Sequence, residues 1–159
     1  MGFKVGIVGA TGLVGGELLR ILEQRKFPVD EIFLFASDRS AGKKMAFMGQ
    51  EIEVVQTSDK SFHGIDIALF SAGGDVSKHF SPVAAKSGAI VVDNSSAFRM
   101  DPTVPLVVPE VNPEDIEMHS GIIANPNCST IQMVVALNPI HEVNPIKRII
   151  VSTYQAVSG

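Results

Sequence analysis

Residues 4–26 read KVGIVGATGLVGGELLRILEQRK. Lys4 to Val8 is a short apolar run of the kind that forms a strand buried on both faces. Leu13 to Lys26 then places Val14, Leu18, Ile21 and Leu22 on one stripe, with Glu17, Glu23 and Arg25 largely outside it, as in an amphipathic helix. Between them Gly9, Gly12 and Gly15 punctuate the turn. Glycine permits positive φ, lets backbone approach a pyrophosphate and lets a helix pack closely on a strand. The helix start adds unpaired N–H groups and partial positive charge. The spacing is G-x-x-G-x-x-G rather than the commoner G-x-G-x-x-G. Two readings therefore stand: a cradle for a dinucleotide, or a tight turn and nothing more.

Working outward, Pro28 stops the helix, and EIFLFAS (31–37) is a second apolar strand that closes a βαβ unit of about 30 residues. KKMAFMGQEIEVVQ (43–56) reads as a hairpin turning at Gly49. DIALFSAGG (66–74), a helix from about Asp75 to Lys86, and GAIVVDNSS (88–96) continue the alternation. The prolines from Pro102 to Pro126 predict an irregular crossing. GIIAN (121–125), a helix after Cys128 and a strand IKRIIVSTY (146–154) follow. Strands alternating with helices predict an α/β fold with a doubly wound, mostly parallel Rossmann-type sheet, whose ligands sit beyond the carboxyl ends of the strands. An apolar strand so near the final QAVSG, with no closing helix, leads to the expectation of a fragment.

The chain has 159 residues, 45% of them hydrophobic, enough for a sizeable core. Its formal net charge is −4 and its longest basic block is Lys43-Lys44, which disfavours nucleic acid as a partner and favours a small-molecule substrate. The one cysteine cannot form an internal disulfide and fits a reducing, cytoplasmic setting. No leader pattern and no apolar run near the roughly 20 residues of a membrane span is present, so no membrane association is expected. His63, His79, His119 and His141 lack metal-ligand spacing, and no metal site is expected.

Three polar groups carry candidate chemistry. SDRSAGKK (37–44) sets Asp38, suited to a ribose 2′-hydroxyl, beside Arg39 and Ser40, suited to a 2′-phosphate. VVDNSSAFRM (91–100) ends a strand in polar residues and holds Arg99, which either grips an oxyanion bidentately or makes a surface ion pair. ANPNCSTIQM (124–133) puts Cys128 after a strand end, where a helix begins. Such a start stabilises a thiolate, yet a lone cysteine is commonly a small buried hydrophobe. Asn127 supplies an amide beside it, and Ser129 and Thr130 suit a first helical turn. In STYQAVSG (152–159), Gln155 is an uncharged group able to orient a substrate, or an exposed loop side chain.

Together GATGLVGGELL, SDRSAGK, DIALFSAGG, VVDNSSAFRM, PLVVPEVN, ANPNCSTIQM and IIVSTYQAVSG resemble the N-terminal half of the aspartate-β-semialdehyde dehydrogenase family, in register along essentially the whole chain. The resemblance implies NADP-dependent reductive dephosphorylation of aspartyl phosphate to aspartate semialdehyde in amino-acid biosynthesis. It implies Cys128 as the nucleophile that forms an acyl-thioester, Gln155 and Asn127 as substrate-positioning groups, and Arg99 as the phosphate ligand. Gly9, Thr11, Gly12, Leu13, Val14, Arg39, Ser40, Ser71, Ala72, Gly73, Ser158 and Gly159 match cofactor-binding segments. It further implies a dinucleotide-binding domain over 1–130 and the start of a catalytic and dimerisation domain over 131–159, in a protein whose full-length form is a homodimer or higher homo-oligomer. The general acid/base histidine and a substrate-carboxylate arginine belong to the family's second half, so little or no turnover is expected of this chain alone. A non-catalytic dinucleotide-binding module and N-acetyl-γ-glutamyl-phosphate reductase are the competing readings.

Overall fold

A computed structural model of the chain describes residues 2–154. Strand β1 (Phe3–Val8) runs into helix α1 (Leu13–Gln24), and β2 (Val29–Ala36) follows beyond Pro28. A 3₁₀ turn (Asp38–Ser40) leads to the hairpin β3 (Lys44–Phe47) and β4 (Gln50–Gln56). Then come β5 (Ile67–Phe70), α2 (Gly74–Lys86), β6 (Ile90–Asp93), a 3₁₀ helix (Pro113–Met118), β7 (Ile122–Ala124) and α3 (Cys128–Val143). The seven strands form one sheet in the order β3-β4-β2-β1-β5-β6-β7, parallel throughout except for the hairpin. This is the expected Rossmann-type architecture. Met48 and Gly49 at the hairpin tip both have positive φ (47° and 77°), the backbone a two-residue turn needs to match strand twist.

The chain leaves β1 in one direction through α1 and leaves β5 in the other through α2. Right-handed crossovers therefore put the two helices on opposite faces of the sheet. Two packed clusters agree with this. Ile7, Leu34 and Val54 pack with Leu19 of α1 and Phe47 of the hairpin, while Val8, Phe35, Phe70 and Val91 pack with Ala84 of α2 and with Phe62. Phe62 and Phe70 are buried with ring centroids 5.8 Å apart; truncating either to alanine removes about 3–5 kcal/mol.

Two expectations are corrected. The buried stripe of α1 runs through Gly15 and Leu19, and Val14 is 43% exposed. Gly15 lies close against the β1 turn, Leu18 and Leu22 pack against the cluster under α1 as expected, and Val14 and Ile21 border the part of the sheet that α1 does not cover. The strand expected over 146–154 does not form among the described residues. A strand exists only through a partner's N–H and C=O groups, and none pairs there; Ile150 and Tyr154 are 90% and 98% exposed. The proline-rich crossing is irregular as expected. Its segment from Pro105 to Val107 bonds to Ala124, closing the outer side of β7.

Candidate active site

At the carboxyl end of β1, Gly9 has φ +88°, and a Cβ there would collide with the Ser71 carbonyl of the neighbouring β5 end. A Cβ on Gly15 would strike the carbonyls of Gly9 and Ala10. Only glycine fits either place. Gly12 is the N-cap of α1 and brings no side chain to it, so the helix presents its first N–H groups unpaired by any cap. Gly73, at φ +90°, opens α2 in the same uncapped way. The β1 and β5 ends mark the point where the chain's winding reverses, which is where an open α/β sheet forms its ligand crevice.

A cleft of about 550 Å³ occupies that crevice. It is lined by Gly9, Thr11, Gly12, Ser37, Asp38, Ser71 and Ala72, with Val76 and Phe80 adding apolar surface. Of the expected cofactor residues, Gly9, Thr11, Gly12, Ser71 and Ala72 meet here. Gly73 sits beside them at the start of α2, with open space where its Cβ would be. Leu13 (72% exposed) and Val14 contribute backbone at the helix start, not lining side chains. Arg39 and Ser40 lie on the 3₁₀ turn next to the cleft without lining it, and the Arg39 N–H donates to Asp38 Oδ1 at 2.8 Å. Gln56 and Thr57 also line the cleft and escape the reading of the sequence. Their one signal is that they end a strand parallel to β2.

Farther along the same edge of the sheet, β7 ends and Cys128 occupies the first position of α3, exposed. Asn127 caps this helix: its Oδ1 accepts from the Ser129 N–H at 3.0 Å, the Thr130 N–H at 3.4 Å and the Ser129 hydroxyl. The amide nitrogen of Asn127 makes no hydrogen bond among the described residues. Arg99 forms no ion pair among the described residues; it is half-buried and bonds backbone carbonyls at 94 and 125. Gln155, Ser158 and Gly159 lie outside the described residues.

Glycine cradle, uncapped helix starts and crevice define a Rossmann-type dinucleotide-binding fold. Residues 4–119 match the family model described as semialdehyde dehydrogenase, NAD binding domain, and the chain belongs to that family. It is 64% identical over 162 residues to the aspartate-semialdehyde dehydrogenase of Aquifex aeolicus, covering 100% of this chain and 48% of that protein. The crystal structure of aspartate semialdehyde dehydrogenase II complexed with ASA from Vibrio cholerae superposes with TM-score 0.87 at 53% identity, over 89% of this chain and 47% of that one. The Candida albicans enzyme, solved with NADP, gives TM-score 0.76 at 29% identity over 92% of this chain and 48% of that one. The chain thus spans about half the length of the relatives it matches.

Proposed function

We propose that this chain is the cofactor-binding and nucleophile-bearing part of a cytoplasmic, NADP-dependent aspartate-semialdehyde dehydrogenase. Residues 1–130 are its dinucleotide-binding unit, and 131–159 open a catalytic and dimerisation part, with α3 carrying the chain across that boundary. Cys128 carries the reading: an exposed thiol at the start of a capped helix, on the strand-end edge that also holds the glycine cleft.

The residues present fit a dinucleotide. The turn at Gly9, where no Cβ fits, and the uncapped N–H groups of α1 suit a pyrophosphate, and Arg39 with Ser40, beside the cleft, suits a 2′-phosphate. NADPH, when bound, supplies hydride. The Cys128 thiolate attacks the acyl phosphate carbonyl, the C–S bond forms as the C–O bond to phosphate breaks, and inorganic phosphate leaves toward Arg99. The Asn127 amide donates to the carbonyl oxygen as it gains charge, and Gln155 orients the substrate. Splitting the reduction at a thioester exchanges one difficult step for two easier ones.

Positioned proton transfer contributes about 10²- to 10⁴-fold to such reactions, and the histidine expected to provide it has no match among His63, His79, His119 and His141. Turnover by the 159-residue chain is therefore expected to be slight or nil, while NADPH binding and thiol capture persist. The test measures NADPH binding by its fluorescence, NADP-linked oxidation of aspartate semialdehyde with phosphate, and alkylation of Cys128 in native and denatured chain. Fast native alkylation with NADPH binding supports the reading. Burial-limited alkylation overturns it, and ordinary turnover overturns the expectation of an inactive part.

A further inference from the structure

The guanidinium of Arg99 is held before any ligand arrives. Its Nε–H donates to the Asn125 carbonyl at 2.9 Å and its Nη2 to the Asn94 carbonyl at 2.9 Å. These carbonyls belong to the residues immediately after β6 and β7, neighbouring parallel strands. The same two residues are joined side chain to side chain, the Asn125 amide donating to Asn94 Oδ1 at 2.7 Å. The Asn125 N–H also donates to the Asp93 carbonyl at 2.8 Å. Beneath them Asp93 is fully buried, and its carboxylate accepts from the Ser77 hydroxyl of α2 at 2.7 Å, the Ser95 hydroxyl at 2.8 Å and the Ser95 N–H at 3.0 Å. Both strand ends are thus tied to each other and to α2.

A guanidinium offers five N–H donors in a fixed plane. Bonds to the two carbonyls use the side-on fork made by Nε and one hydrogen of Nη2. What remains is the end-on fork of Nη1 and Nη2, the geometry that grips an oxyanion with two parallel bonds. No carboxylate among the described residues neutralises it, although the side chain is half-buried. A strut needs only the first fork. The second, uncompensated and pre-oriented, is a site for an anion, and Asn125 stands three residues before Cys128.

We infer that Asn94 and Asn125 are positioning residues: their amide pair fixes the two carbonyls that clamp Arg99, and so aims its free fork at an anion presented to the Cys128 thiol. This rests on the reading of Arg99 as the phosphate-binding side chain. If the pair loosens, the carbonyls separate, the guanidinium swings, and anion capture falls while the thiol itself is untouched.

The test uses the chain's single cysteine and two alkylators of nearly equal size, iodoacetate, whose carboxylate is drawn to the free fork, and neutral iodoacetamide. The ratio of their rates at Cys128 reads anion capture, and the iodoacetamide rate alone reads the thiol. Arg99→Leu, Asn94→Ala and Asn125→Ala are each expected to lower the ratio about five- to tenfold, as loss of an aimed charge-assisted contact should, with the iodoacetamide rate of the two asparagine variants within about twofold of the parent. Inorganic phosphate should compete with iodoacetate in the parent and weakly in all three variants. A ratio that falls in Arg99→Leu but not in folded asparagine variants overturns the inference and leaves the reading of Arg99 standing. A ratio unmoved in Arg99→Leu overturns both. Equal slowing of both reagents in the asparagine variants shows general damage near Cys128 and also overturns the inference. Should Asn125→Ala fail to fold by circular dichroism, Asn94→Ala, outside the Pro126 turn, decides.

Discussion

Helices α1 and α3 both begin at strand ends on one edge of the sheet, yet they begin in opposite ways. Gly12 leaves the start of α1 without a cap, while Asn127 caps α3 with three hydrogen bonds. Leu19 and Gly15 of α1 are buried, whereas α3, whose apolar and polar residues are mixed round its whole circumference, buries no residue among those described. On the proposed reading the uncapped start is a binding feature, its N–H groups staying available for a phosphate. The capped start is a mounting: it holds its first residue, Cys128, in place. Val135, Ile140 and Val143 of α3 are left exposed, which suits the proposal that α3 leads into a second domain.

The sharpest break of this comparison is Cys128→Ser. It should abolish thioester capture of an acyl phosphate, seen as loss of the mass adduct, and leave NADPH affinity within about twofold; a fall in affinity would mean the two helix starts are not separable. Next is Gly15→Val, whose side chain has no room against the Gly9 and Ala10 carbonyls. Overpacking there should cost about 3 kcal/mol in urea unfolding and remove dinucleotide binding. Gly12→Asp makes α1 resemble α3. The backbone at Gly12 is extended (φ −77°, ψ 166°) but a Cβ there meets the Gly9 carbonyl at 3.3 Å, so the gain from a cap is offset and stability should stay within about 0.5 kcal/mol of the parent. NADPH affinity should fall at least about tenfold as the new carboxylate takes the phosphate's donors and repels it. Unchanged affinity would show that the start of α1 is not the phosphate site. Asn127→Ala is the converse, expected to cost about 1 kcal/mol and to change the alkylation rate of Cys128.

The smallest effect concerns acid. Each region has an exposed carboxyl held below the usual range, Glu17 on α1 by its hydrogen bond from Arg20, and Asp101 on the crossing to β7 by hydrogen bonds from Thr103. A lowered folded-state pKa gives stability that is present above the ordinary carboxylate range and lost as pH falls through the lowered value. Thr103→Val should therefore melt slightly lower than the parent at neutral pH, and the difference should fade on acidification. A difference that persists in acid would assign the effect to packing.

The β1 turn is legible in the sequence because glycine spacing and a buried apolar run are local signals, and the hairpin tip is legible for the same reason, through Gly49. The stripe of α1 is misplaced at Val14 because periodicity does not tell how far a neighbouring sheet extends under a helix. The strand expected over 146–154 needs partners that no local pattern can supply. Cys128 is placed at a helix start by its own neighbours. The clamp on Arg99 is invisible at that level, since Asn94 and Asn125 lie 31 residues apart and meet only through the register that pairs Asp93 with Ala124.

The parallel sheet also acts as a ruler. From β1 to β7 the order passes through β5 and β6, three steps of about 4.8 Å, so the glycine turn and the thiol-bearing turn stand roughly 14 Å apart across the strands. On the proposed reading, a molecule anchored by its phosphates over β1 extends along the sheet edge by that interval to reach Cys128, so strand spacing bears on the length of ligand that this edge can use.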